Sequence, residues 1–152
     1  MSEKIAFTAS RAEVAQTARA ALVTRYGNVE PAQADVIVAL GGEGFMLQTL
    51  HDAQHLDAPV YGMNRGTIGF LMNTYSETDL PARLAAAEEA ELNPLSMVAT
   101  DAEGVVTQAL AINEVSLLRA GPQAAKLRIF VDGKLRMEEL TCDGALICTP
   151  AG

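Results

Sequence analysis

Positive charge is scarce in this chain: 11 Lys and Arg stand against 19 Asp and Glu, giving a formal net charge of −8 and a pI near 4.7. That balance argues against general electrostatic affinity for nucleic acid or anionic membrane, so any phosphate ligand has to be held by local groups. Long apolar runs are missing too. No stretch reaches transmembrane length, and the opening MSEKIAF lacks the layout of a secretory signal. A cytoplasmic location is expected. Cysteine is limited to Cys142 and Cys148. Read as one extended segment, they lie roughly 20 Å apart, beyond disulfide reach. No metal-ligand spacing accompanies them, so both are expected to be reduced, packed thiols. Internal repeats and low-complexity segments are also absent. What is present is an ordinary globular composition, 49% hydrophobic and 20% charged. The 152 residues can bury a sizeable core but are short for two full domains.

The chain is organised around Asp35 to Gln48, DVIVALGGEGFMLQ. Val36 to Leu40 has the length and β-branched content of a strand buried on both faces, as in a parallel sheet. Gly41, Gly42 and Gly44 follow, then an amphipathic helix beginning at Phe45. Glycines there let the backbone turn sharply and approach a ligand, and the helix N-terminus offers N–H groups to a phosphate. Glu43 sits inside the turn. An acid facing phosphates is electrostatically unfavourable by itself, which points to a proton acceptor or a Mg²⁺ partner. The competing reading is plain helix packing, for which α/β proteins also use glycines. The spacing matches neither G-x-G-x-x-G nor a Walker A loop.

Lys4 to Thr8 reads as a first strand, and Ser10 with Glu13 as a capping box opening a helix that ends at Tyr26 and Gly27. Strand, helix and strand make a βαβ unit with the glycine turn at the carboxyl edge of its second strand, where open α/β sheets bind ligands. His51 and His55 have helical i, i+4 spacing, but a solvent-facing pair is the better account and no metal is assigned. Pro59 to Met63 reads as a third strand, followed by the loop from Asn64 to Leu71 at the same edge. Asn64 and Phe70 either contact the same ligand, by hydrogen bonding and ring packing, or form a turn with Phe70 tucked into the core. A further helix, capped by Ser76 or Thr78, is expected to run to Glu91.

After residue 92 the pattern changes to strands and turns. These are Leu95 to Thr100, an Asp101 to Gly104 turn, Val105 to Leu118, and LRIFV and KLRMEEL joined by Asp132-Gly133, a strong hairpin signal. The expected organisation is an α/β domain over 1–92, a parallel-sheet βαβ fold, followed by the start of an all-β, antiparallel domain over 93–152. Asn113-Glu114 interrupts one apolar stretch and Asp143-Gly144 opens another. Such groups face either solvent or a ligand, and an amide beside a carboxylate suits ribose hydroxyls.

Three segments in this order, LGGEGFML, NEVSLL and CDGALICTPAG, resemble the GGDG, NE and DG…STP-G segments of the NAD kinase family, and YGMNRGTIGFL resembles the loop between the first two. The resemblance covers the chain from residue 35 onward. It implies an α/β domain and an all-β domain with NAD and ATP meeting in the cleft between them, assistance by a divalent cation such as Mg²⁺, and a homo-oligomer. Glu43 then occupies the place of the family's proton acceptor, and Gly41, Gly42 and Gly44 form the phosphate-side turn. Asn113 and Glu114 match the pair that binds NAD, Asp143 matches a further dinucleotide contact, and Phe70 resembles the aromatic packed near NAD. The implied reaction carries the ATP γ-phosphoryl group to the 2′-hydroxyl of the adenosine ribose, giving NADP. Alternatives are a non-catalytic dinucleotide-binding fragment, or a lipid or sugar kinase of the wider GGDG superfamily, against which Asn113-Glu114 argues.

The sequence departs from the family pattern in three places. Glu43 replaces Asp, Phe45 stands where many members have Thr, and the family's GSTAY and later glycine-rich stretch do not follow Gly152. The first predicts a slower enzyme than a GGDG version. The last predicts exposed strand edges and an incomplete β core.

Overall fold

The computed structural model describes residues 3–64 and 71–150, which belong to two compact units, Met1–Leu92 and Asn93–Gly152. In the first, β1 (Ile5–Ala9), β2 (Val36–Gly41), β3 (Val60–Asn64) and β4 (Met72–Thr74) form a parallel sheet in the order β1-β2-β3-β4. Every residue of β2 is buried, as a run with no polar position requires when helices cover both faces. The short strand β4 lies outside the elements expected from sequence.

Alternation along the strands assigns each helix to a face. Helix α1 (Glu13–Tyr26) buries Ala15 and Leu22 against Ile5, Phe7, Val38 and Leu40. Leu80 of α3 (Leu80–Ala85) joins the same cluster. Helix α2 (Glu43–Ala53) sets Met46 and Ala53 against Ala6, Ile37 and Ala39, the residues of β1 and β2 that point the other way. So α1 and α2 lie on opposite faces, although both connections step in the same direction across the sheet. The two βαβ crossovers are therefore of opposite hand, and one departs from the right-handed rule. Leu22, Ile37, Leu40, Met63, Leu80 and Val38 are fully buried, each worth about 1.5–3 kcal/mol of burial.

Helices α1 and α3 have boundaries that differ from expectation. Ser10 does not cap α1: its N–H donates to the Leu40 carbonyl, continuing the β1 edge, and the cap position falls to Ala12 with no side-chain bond. Gln16 ties down the approach instead, its amide donating to the carbonyls of Ser10 and Ala9. Gly27 ends α1 as expected, at φ 78° with its N–H on the Val23 carbonyl. Helix α3 is much shorter than the expected run to Glu91. The Ser76 hydroxyl accepts the Thr78 N–H in a local turn, and Asp79 sits at φ 57° just ahead of the helix. At the far end, Glu88, Glu89 and Glu91 would load negative charge onto a C-terminus whose own dipole is negative.

The second unit holds β5 (Leu95–Thr100), β6 (Val106–Ala111), β7 (Glu114–Leu118), β8 (Ala125–Val131), β9 (Lys134–Cys142) and β10 (Gly144–Cys148). They pair as three antiparallel ladders, β5 with β6, β7 with β10, and β8 with β9. Asp132 (φ 51°) and Gly133 (φ 72°) make the β8–β9 turn, both left-handed as a type I′ hairpin demands. The expected single stretch from Val105 to Leu118 is split at Ile112-Asn113, where the chain changes ladders. Cys142 and Cys148 lie on different strands rather than one segment, both are free thiols, and Cys148 is exposed rather than packed. Every buried apolar residue among the described residues belongs to the first unit, whereas Val98, Leu117, Leu118, Leu146 and Ile147 are each at least 60% exposed.

Candidate active site

The β2–α2 junction is built in the first unit. Helix α2 starts at Glu43, two residues earlier than expected, with Gly42 as its cap at φ −96° and no side-chain bond. The acid is thus not inside the turn but in the helix's first position, where its charge complements the positive end of the dipole. The N–H groups of Phe45 and Met46 both donate to the Gly42 carbonyl. Those of Glu43 and Gly44, ahead of them, have no partner within the helix.

The three glycines are not equivalent. A Cβ on Gly41 would come within 3.0 Å of the Phe45 ring and Cβ, so this glycine is required by packing. On Gly42 or Gly44 a Cβ would meet nothing within 4 Å among the described residues, and neither has a positive φ. Packing therefore accounts for Gly41 only. Gly42, Glu43 and Gly44 are all exposed around the free amides.

This junction lies at the carboxyl edge of the sheet. The exit of β1 leads to α1 on one face and the exit of its neighbour β2 leads to α2 on the other. Diverging connections from adjacent strands leave a crevice at the carboxyl edge, the position at which open α/β sheets bind ligands. Asn64, at the end of β3, is the direct register partner of Gly41 and is buried, so these backbones run about 4.8 Å apart. The structure thus brings Gly41 and Asn64 together beside Glu43. Phe70 lies outside the described residues. Helix α2 ends at Ala53, so His51 and His55 do not share its face.

The second unit carries the other expected residues, at two ends of one ladder. Glu114 opens β7 opposite Cys148 of β10, while Leu118 at the far end is opposite Gly144. Asn113 precedes β7, and its Oδ1 is buried with no hydrogen-bond partner among the described residues. Two bonds from Thr149 hold the backbone here: its N–H donates to the Asn113 carbonyl at 2.7 Å and its hydroxyl to the Ile112 carbonyl at 2.6 Å. Asp143 lies at the opposite end, ion-paired with Arg119 at 2.5 Å, its carbonyl accepting the Arg119 N–H at 2.9 Å. Roughly 17–20 Å along the strands separates it from Asn113 and Glu114. Thr149 and Arg119 were not singled out by sequence reasoning. Thr149 lies within the CDGALICTPAG segment but had no role assigned there, an arginine near a turn carries no local signal, and only the β7–β10 register gives them partners.

Among the described residues, no three His, Cys, Asp or Glu side chains gather to hold a metal ion. Residues 2–91 match the family model described as the ATP-NAD kinase N-terminal domain. Among curated relatives, the chain is similar to an NAD kinase of Cereibacter sphaeroides, 65% identical over 150 residues, which cover 99% of this chain and 59% of the relative. Its similarity to the NAD kinase of Caulobacter vibrioides is 60% identity over 149 residues, 98% of this chain and 57% of the relative. For the NAD kinase of Rhizobium meliloti the figures are 57% over 148 residues, 97% and 58%. The chain spans less than two thirds of the length of these relatives.

Proposed function

The chain belongs to the ATP-NAD kinase family, and from that premise we propose that the protein transfers the γ-phosphoryl group of ATP to the 2′-hydroxyl of the adenosine ribose of NAD, yielding NADP and ADP. The observation that carries the reading is the space at Gly42 and Gly44 that no described residue fills, on either side of an exposed carboxylate at a helix N-terminus. No contact among the described residues requires either glycine, which supports a role for that room in receiving a ligand from outside.

In the proposed mechanism the free amides at the start of α2 hold a phosphate oxygen and keep the phosphates within reach of the acceptor hydroxyl. Glu43 takes the 2′-hydroxyl proton as that oxygen forms its bond to the γ-phosphorus. The bond from phosphorus to the β–γ bridging oxygen breaks in line, and ADP leaves with the electron pair. Chemistry of this kind rests on positioning and charge neutralisation. A divalent cation, where bound, screens the phosphate charge. Asn113 and Glu114 are assigned to the adenosine side of NAD, where a buried, unpartnered amide oxygen accepts a ligand N–H or O–H. Asn64, Phe70 and Asp143 are assigned further contacts with the dinucleotide. A cytoplasmic, oligomeric protein completes the reading. No helix among the described residues is long and apolar enough to cross a membrane.

The deciding experiment uses the full-length protein with NAD, ATP and Mg²⁺, measuring NADP formation for the parent and for Glu43→Gln. Replacing a general base of this type should cost about 10²–10⁴ in turnover while NAD still binds by calorimetry. Equal turnover by both chains, or phosphorylation of a diacylglycerol or sugar in place of NAD, would overturn the proposal.

A further inference from the structure

The chain between β6 and β7 consists of two residues, Ile112 and Asn113, which leave one ladder before the next begins. A carbonyl at such a crossing has lost its strand partner and must find another. That of Ile112 finds the Thr149 hydroxyl at 2.6 Å, and Thr149 lies just beyond the last residue of β10, itself 9% exposed. The Thr149 N–H then closes on the Asn113 carbonyl at 2.7 Å, extending the β7–β10 register by one position. One residue thereby clasps two consecutive carbonyls. The side chain of Asn113 has no comparable support, because its buried Oδ1 has no partner among the described residues. Its direction is set by the backbone, and the backbone is set by Thr149.

We infer that Thr149 is a positioning residue for the Asn113-Glu114 pair and governs affinity for the dinucleotide without touching it. The inference rests on the assignment of that pair to NAD made above. Thr149→Val keeps the volume, the branching and the backbone N–H, and deletes only the hydroxyl donor. In the full-length protein this variant should raise the KM for NAD about tenfold, with the KM for ATP within about twofold of the parent. Thr149→Ser, which restores the donor, should return the KM for NAD to within about twofold. On an Asn113→Ala background the valine substitution should add nothing, since its effect passes through the missing amide.

A KM for NAD unchanged by Thr149→Val overturns the inference, as do parallel increases for NAD and ATP that track a lowered Tm. Additive losses in the double variant overturn it too. If the valine chain fails to fold, Thr149→Cys, with its weak thiol donor, carries the same expectations. Failure of the underlying assignment is recognised separately. In that case Asn113→Ala alone leaves the KM for NAD unchanged, and the inference falls with the assignment. When only the inference fails, Asn113→Ala is impaired and Thr149→Val is not.

Discussion

Glu43 carries one methylene more than the aspartate of the GGDG pattern, and it does so from the first position of a helix rather than from a loop. The helix fixes where its Cα lies, so the extra bond displaces the carboxylate by about 1.5 Å unless the side chain folds back. A misplacement near 1 Å is enough to cost on the order of a hundredfold in rate. Glu43→Asp should therefore raise NADP formation in steady state, and an equal or lower rate would refute the point. Gly44 offers a contrasting test. It lies in the first turn of α2 with open space at its Cβ position, so Gly44→Ala should stabilise the helix by up to about 1 kcal/mol. The same methyl intrudes on the room around Glu43, so turnover should fall while Tm rises. A variant both more stable and fully active would remove the functional reason for that glycine.

At the scale of elements, β3 and β4 approach each other closely. A Cβ on Gly62 would lie 2.7 Å from Met72 Sδ, 2.9 Å from Met46 Sδ and 2.9 Å from the Leu71 carbonyl oxygen. The two methionines can shift, but the backbone oxygen cannot without displacing β4. Gly62→Ala should destabilise the protein by about 1–3 kcal/mol, read as a lower denaturant midpoint. The Arg119–Asp143 pair is a weaker device, since its side chains are 33% and 78% exposed. Arg119→Met should change stability by no more than about 1 kcal/mol. What was legible in the sequence follows the same division. The βαβ unit and the Asp132-Gly133 hairpin announce themselves through periodicity and turn chemistry within a dozen residues. The strand at Met72–Thr74 is too short to show a period, and the true length of α3 is set by Asp79 and by the acids beyond its end. The break at Ile112-Asn113 depends on which strands pair. No local pattern encodes that, which is also why the contacts of Thr149 stayed hidden while the residues it clasps were noticed.

For the molecule as a whole, the distribution of burial is uneven. The first unit owns the buried apolar residues, and the second shows Val98, Leu117, Leu118, Leu146 and Ile147 to solvent. Apolar surface of that kind associates. The 152-residue chain should bind a hydrophobic dye and self-associate with rising concentration, whereas a segment ending at Leu92 should do neither. Size-exclusion chromatography with dye fluorescence separates the outcomes. The exposure of these residues was not legible in the sequence, because alternation along a strand does not say what covers it. The opposite-handed crossovers were not legible either, since hydropathy identifies a strand buried on both faces without saying which helix lies on which.

The β7–β10 ladder also acts as a ruler. Asn113 and Glu114 stand at one mark and Asp143 at the other, roughly 17–20 Å along the strands. A compact mononucleotide seated at the first mark does not reach the second along that edge. Shortened analogues of the dinucleotide should therefore report on the two ends independently: adenosine 5′-monophosphate would lose affinity on Asn113→Ala yet ignore Asp143→Asn.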